Sequence, residues 1–188
     1  MPDLVHPGVL TDGVIELRLW QDDDIAAVRA ARRGTDDEAL EWIRRQRDRP
    51  STVGISCAAA PLGQAAAGYV GLIKRPRVET GVIRALDDGE LVFRAHQQIV
   101  GIGYWTTPEA QGQGLATRAT VLISLWALQD GGMIRIEALV DPDNIASRRV
   151  VEKSGFQPEG HLRSYLDFDG SPADALAYSL LQADLAPR

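Results

Sequence analysis

The sequence predicts one α/β (α+β) domain, and three observations carry that prediction. Short β-branched or alternating runs and runs of helical period follow one another along the whole chain. No repeat, low-complexity tract or Pro/Ser-rich linker separates them. The 188 residues, 45% apolar and 24% charged, are enough for one full hydrophobic core. Residues 1–188 are therefore expected to form a single domain.

Residues 14–20, "VIELRLW", read as a strand, and the acidic cluster Asp22, Asp23, Asp24 suits a helix start, where carboxylates meet unpaired N–H groups. Two helices follow, "DIAAVRAAR" and "TDDEALEWIRRQRD". The second has Ala39, Trp42 and Ile43 at helical spacing and ends before Pro50. "TVGISCAAA" and "AAAGYVGLI" read as paired strands around "PLGQ", and "GVIRALDDGELVFRA" as an extra hairpin near residues 76–96 that turns at Asp88-Gly89. "QIVGIGYW" is a strand. Leu115, Ala119, Leu122 and Trp126 then mark one face of a long helix stopped by Gly131-Gly132. "MIRIEALV" puts Ile134, Ile136, Ala138 and Val140 on one strand face. The next helix is capped from Asp143 or Asn144 and closed by Gly155, and two strands flank the turn "DGSP".

The formal charge of −6 argues against a nucleic-acid partner and favours a cationic substrate, although an acidic solvated surface explains it equally well. Cys57 is the only cysteine, so no disulfide is possible within the chain. It is expected to be a small buried apolar residue, since no His or Asn/Asp constellation points at it. The N-terminus lacks a basic region followed by an apolar core, and no run approaches the roughly 20 apolar residues that span a bilayer. A cytoplasmic protein with no membrane partner is expected.

The stretch "YWTTPEAQGQGLATRA" raises the functional question. A strand, then a Gly-rich turn, then a helix makes an anion site, because the unpaired N–H groups of a helix N-terminus carry partial positive charge. Gly112 and Gly114 allow close approach of a ligand and positive φ, and Gln111 and Gln113 can add donors. A P-loop would need Lys-Ser or Lys-Thr where Leu115-Ala116 stands. A dinucleotide fingerprint would need a third glycine and an earlier place in the chain.

"QGQGLA", residues 111–116, resembles the Q/R-x-x-G-x-G/A pyrophosphate loop of the GNAT superfamily of acyl-CoA-dependent N-acyltransferases. "GIGYWTTPEAQGQGLATRA" and "DPDNIASRRVVEKSGFQPEGHLR" with the segments after it resemble the branch of ribosomal-protein N-terminal acetyltransferases of RimJ/RimL type, over residues 8–184. The resemblance implies a mixed sheet of about seven strands, splayed near a bulge at its central strand, with about four helices. It also implies acetyl-CoA or another acyl-CoA as co-substrate and no metal. Main-chain groups of Tyr104, Trp105 and Thr106 would pair with the pantetheine arm, one N–H serving as an oxyanion hole. Gln111, Gly112, Gln113, Gly114, Leu115, Ala116 and Thr117 would cradle the pyrophosphate.

Asn144 matches the family's Asn that bonds pantetheine and is equally an N-cap. Ser147 matches the branch's Ser that reaches the CoA sulfur, and a hydrogen bond to the thiolate is its expected role. The Tyr that many members carry one turn further on is replaced by Val151. Glu109 is expected to point outward or to cap. His96, His161, Tyr165 and Asp167 are candidate polar groups near the amine, and Glu41, Trp42 and Arg45 border the acceptor pocket in the family. The acceptor would be a primary amine, on a protein N-terminus or a cationic small molecule. The alternatives are succinyl or another acyl transfer, or CoA binding without turnover. The extra hairpin would shape specificity or a homodimer contact.

Overall fold

The computed structural model describes residues 4–32, 34–74, 82–84, 90–92, 98–168 and 170–185. Its elements are β1 (Leu10–Thr11), β2 (Ile15–Arg18), α1 (Ile25–Arg32), α2 (Asp36–Arg47), β3 (Gly54–Pro61), β4 (Gly68–Lys74), β5 (Val82–Arg84), β6 (Glu90–Val92), β7 (Ile99–Thr106), α3 (Leu115–Gln129), β8 (Arg135–Val140), α4 (Ile145–Lys153), β9 (Gln157–Phe168) and β10 (Ser171–Leu181). Eight strands form one sheet in the order β1-β2-β3-β4-β7-β8-β10-β9. The expected hairpin is a separate antiparallel pair, β5 with β6, whose turn at Asp88-Gly89 lies outside the described residues.

Local sequence sets the helix ends. Asp22–Asp24 form a short 3-10 turn into α1, and Asp24 folds inward, where it accepts two bonds from Arg18 and the Gln21 N–H. α2 opens with a capping box: the Thr35 hydroxyl accepts the Glu38 N–H, and the Glu38 carboxylate accepts the Thr35 N–H at 2.7 Å. Its Ala39 and Ile43 are buried as the spacing requires. The core face of α3 differs from the expected one. Leu115, Ala119, Ile123 and Ala127 are buried, while Leu122 and Trp126 only flank the core, so the face is rotated by about one position along the helix. Ile134 precedes β8 and is 40% exposed, whereas Ile136, Ala138 and Val140 are buried.

Alternation along the strands separates two apolar clusters. Cys57, Ala59, Val70, Leu72 and Val100 face α3, whereas Ala58 and Tyr69 face α1 and α2 with Trp20 and Ile43. β3 is buried at Gly54–Ala60. β7 sits at the middle of the same sheet, yet only Val100 among its eight residues is buried.

Candidate active site

The exposure of β7 comes from a split in the sheet. β7 and β8 are the sheet's parallel neighbours, and they pair only at Ile99↔Arg135, Val100↔Ile136 and Gly101↔Glu137. Beyond Gly101, β7 stays with β4 through Thr106, and β8 continues beside β10 through Val140. A wedge therefore opens between two strands that begin side by side. The β4–β7 register runs unbroken from Lys74↔Val100 to Gly68↔Thr106, so the split needs no register slip on that side, contrary to the bulge expected there.

The parity of the ladder fixes which main-chain groups face the wedge. The Thr107 N–H donates to the Ala67 carbonyl, and the Gln98 carbonyl accepts the Ile134 N–H. Odd residues of β7 thus point toward β4 and even residues toward β8. Tyr104 and Thr106 present N–H and C=O to the opening, and Ile102 presents its C=O, its N–H closing the last rung of the β7–β8 ladder on Glu137. Trp105 does not, because its carbonyl lies against Gly68 of β4. The expected main-chain role of Trp105 is corrected accordingly. Its indole sits with Trp42, Trp20 and Tyr69, ring centroids 5.9–6.0 Å away, on the α1/α2 face.

The Gly-rich turn stands at the far end of β7. Gly112 has φ +74° and Gly114, the N-cap of α3, φ +82°, a region that disfavours any Cβ. Among the described residues, no atom lies within 4 Å of a Cβ built on either glycine. The space above the turn is open, and the N–H groups of Leu115, Ala116 and Thr117 have no intrahelical acceptor. The other candidates in the turn are partly committed. The Gln111 N–H donates to Pro108 at 3.3 Å, and the Gln113 side chain donates to the Glu109 carbonyl at 2.6 Å, so these two residues brace the turn instead of adding free donors. Glu109 is exposed, as expected. Arg118 in the first turn of α3 is paired with Asp12. Asp12 also accepts the Ile15 and Val14 N–H groups, and these bonds, Ile15 first, hold its carboxyl at about 2.

Across the wedge, α4 begins at Asn144, whose Oδ1 accepts the Ser147 N–H at 2.9 Å. The cap uses the amide oxygen, and the Asn144 NH2 group remains on an exposed residue. The Tyr104 phenol reaches from β7 to this helix end, with its oxygen 2.8 Å from Ser147 Oγ and 3.1 Å from the Ser147 carbonyl. Burial pushes this phenol above its ordinary value against the lowering effect of Ser147. Sequence reasoning used only the Tyr104 main chain and missed this contact, because residues 43 positions apart carry no local signal. Val151 is fully buried.

The remaining candidates sit on other elements. His161 and Tyr165 are on β9, with β10 between that strand and β8. His161 Nε2 is 2.8 Å from Asp174, and Tyr165 is 54% exposed. His96 and the Asp167 side chain lie outside the described residues. Glu41 is on the solvent face of α2, 3.6 Å from Arg45, while Trp42 turns inward to the aromatic cluster. Cys57 does have a His neighbour: His6 Nε2 is 3.3 Å from the sulfur. His6 Nδ1 accepts the Gly8 N–H, so Nε2 carries the proton and cannot act as a base toward the thiol, which burial pushes up to about 12. Among the described residues no cluster of His, Cys, Asp or Glu could hold a metal ion, and no helix is long and apolar enough to cross a membrane.

An unpaired strand edge leading to an anion-binding helix start suits a ligand with an extended amide chain and a phosphate end. The description "Acetyltransferase (GNAT) domain" fits residues 9–157. The chain belongs to the GNAT acetyltransferase family. This acetyltransferase domain is 32% identical over 111 residues to the probable N-acetyltransferase YjcK of Bacillus subtilis, covering 55% of this chain and 61% of that one. It is 27% identical over 104 residues to spermidine N(1)-acetyltransferase of Escherichia coli K12, covering 55% of this chain and 53% of that one. The chain thus spans little more than half the length of these relatives. In fold it is similar to Mycobacterium smegmatis RimJ in complex with CoA-disulfide, with a TM-score of 0.67 and 23% identity over 96% of this chain and 88% of that one.

Proposed function

We propose that the chain is an acyl-CoA-dependent N-acetyltransferase that acetylates a primary amine by direct attack on the thioester. The observation that carries this reading is the split after Gly101, which frees the Ile102 carbonyl and the main-chain N–H and C=O of Tyr104 and Thr106 in a line toward the Gly-rich turn. The pantetheine arm would lie along Ile102, Tyr104 and Thr106 as an added strand, with the Asn144 amide donating to it from the other side. Gly112, Gly114, Leu115, Ala116 and Thr117 would hold the pyrophosphate through their N–H groups. A wedge-facing N–H of β7, on Tyr104 or Thr106, would stabilise the charge that develops on the thioester oxygen. The Ser147 hydroxyl would donate to the departing thiolate. A fixed donor of this kind is typically worth about 10²–10³ in kcat.

The formal charge of −6 and the likeness to a spermidine acetyltransferase support a cationic acceptor, while the resemblance of residues 8–184 to ribosomal-protein N-terminal acetyltransferases keeps protein N-termini in view. Thiol release from acetyl-CoA and succinyl-CoA, measured against polyamines, aminoglycosides and peptides with free N-termini, tests the proposal. Acetyl transfer to one class of amine is the expected result. Faster turnover with succinyl-CoA would reassign the acyl group, and CoA binding with no turnover on any amine would make the domain a CoA-binding sensor.

A further inference from the structure

We propose that the Tyr104 side chain is the second link of a hydroxyl chain, Tyr104 Oη to Ser147 Oγ to the CoA sulfur, through which Ser147 both stabilises and protonates the leaving thiolate. The inference rests on the acyltransferase reading above and assigns a role to a side chain which that reading leaves unused.

The geometry makes the chain switchable. The phenol has one hydrogen and two acceptors within reach, the Ser147 carbonyl at 3.1 Å and Ser147 Oγ at 2.8 Å. When the phenol donates to the carbonyl, the Ser147 hydroxyl can donate back to Oη. When the phenol turns to Oγ, the Ser147 hydrogen is released for a third group. Both hydroxyls lie at the wedge, Tyr104 on the strand whose free edge lines it and Ser147 in the first turn of α4, where negative charge is favoured. The other phenol that bears on Tyr104, Tyr178 of β10, donates to Glu152 and is committed elsewhere.

A serine hydroxyl is a poor acid and cannot give up its proton unless another replaces it. The phenol, a stronger acid than an aliphatic hydroxyl even though burial raises it above its ordinary value, can supply that proton. The amine nitrogen bonds to the thioester carbon and loses one proton to solvent water, and the C–S bond breaks with its electron pair on sulfur. Sulfur takes the Ser147 Oγ proton as Oγ takes the Tyr104 proton, and water returns a proton to the Tyr104 oxygen. The products are an amide and a neutral thiol. Tyr104 acts through Ser147 and is a positioning residue.

The test titrates the thiol of CoA bound to four proteins, wild type, Tyr104→Phe, Ser147→Ala and the double variant, by thiolate absorbance. It needs no knowledge of the acceptor. Removing the phenol hydroxyl is expected to raise the pKa of the bound thiol by about half a unit to one unit, the scale of one neutral hydrogen bond. Ser147→Ala should raise it at least as far, and the double variant no further than Ser147→Ala, because the two hydroxyls act in series. On the amine that the panel identifies, Tyr104→Phe should lower kcat about 3- to 10-fold with the KM for acetyl-CoA unchanged, whereas a purely structural role would raise KM. A bound-thiol pKa in Tyr104→Phe equal to that of the wild type, or additive shifts in the double variant, would overturn the chain while leaving the acyltransferase standing. Failure of the wild type to bind CoA at all would remove both.

Discussion

Gly114→Ala separates the two reasons for a glycine at the start of α3. Its φ of +82° makes any side chain strained there, at a cost of about 1–2 kcal/mol. For a domain of this size that cost corresponds to a fall in Tm of roughly 2–8 °C. Nothing among the described residues would touch the new Cβ, so no further loss of stability is expected. The Cβ would instead intrude on the open space where phosphate oxygens are proposed to sit, and losing one charge-assisted hydrogen bond there weakens CoA binding by about 10- to 100-fold. Gly63→Ala is the matched control, since Gly63 has φ +70°, equally open surroundings and a place in the turn between β3 and β4. Both variants should melt lower by similar amounts, and calorimetry should show weaker CoA binding only for Gly114→Ala. Equal CoA affinity in the two would refute the cradle.

Other substitutions test the site's parts one at a time. Ser147→Ala should lower kcat by about 10- to 1000-fold with little change in CoA affinity, because the thiolate needs its hydrogen bond mainly in the transition state, and steady-state kinetics beside calorimetry will show whether the two separate. Asn144→Asp keeps an oxygen for the Ser147 N–H but loses the amide donor, so melting should be nearly unchanged while CoA binds more weakly; unchanged CoA binding would make Asn144 only a cap. In acid, Asp12 and Glu159 are both held at about 2 from ordinary values of 3.8 and 4.5, Glu159 by Arg135 first. Their folded pKa values are depressed, so the stability they add is complete above about pH 4.5 and is lost as pH falls toward 2. Thermal melts of wild type and Asp12→Asn/Glu159→Gln should converge over that range, and salt should shrink the difference because both pairs are exposed.

The order of elements and the Gly-rich turn were legible because they are written in local pattern: the Thr35/Glu38 capping box, the alternation in β8 and the glycines at positive φ all act within a few residues. What failed or was missed depends on register and long-range contact. Whether Trp105 or Tyr104 faces the wedge turns on ladder parity, and a single residue of register reverses it. The face of α3 was placed one position off because Leu122 and Trp126 fit an apolar stripe as well as Ile123 and Ala127 do, and only the sheet beneath decides between them. The Tyr104–Ser147 bond and the His6–Cys57 contact join residues 43 and 51 positions apart. No spacing rule reaches that far.

The claim on which the rest depends is that the free edge of β7 receives the acyl donor as an added strand. Amide hydrogen exchange resolved by residue, with and without acetyl-CoA, tests it most directly. Tyr104 and Thr106 should gain protection on binding, whereas Gly103 and Trp105, whose N–H groups already face β4, and Ile102, whose N–H already pairs with Glu137, should change little. Protection that spared Tyr104 and Thr106, or that appeared equally on all five residues, would mean that acetyl-CoA does not pair with this edge.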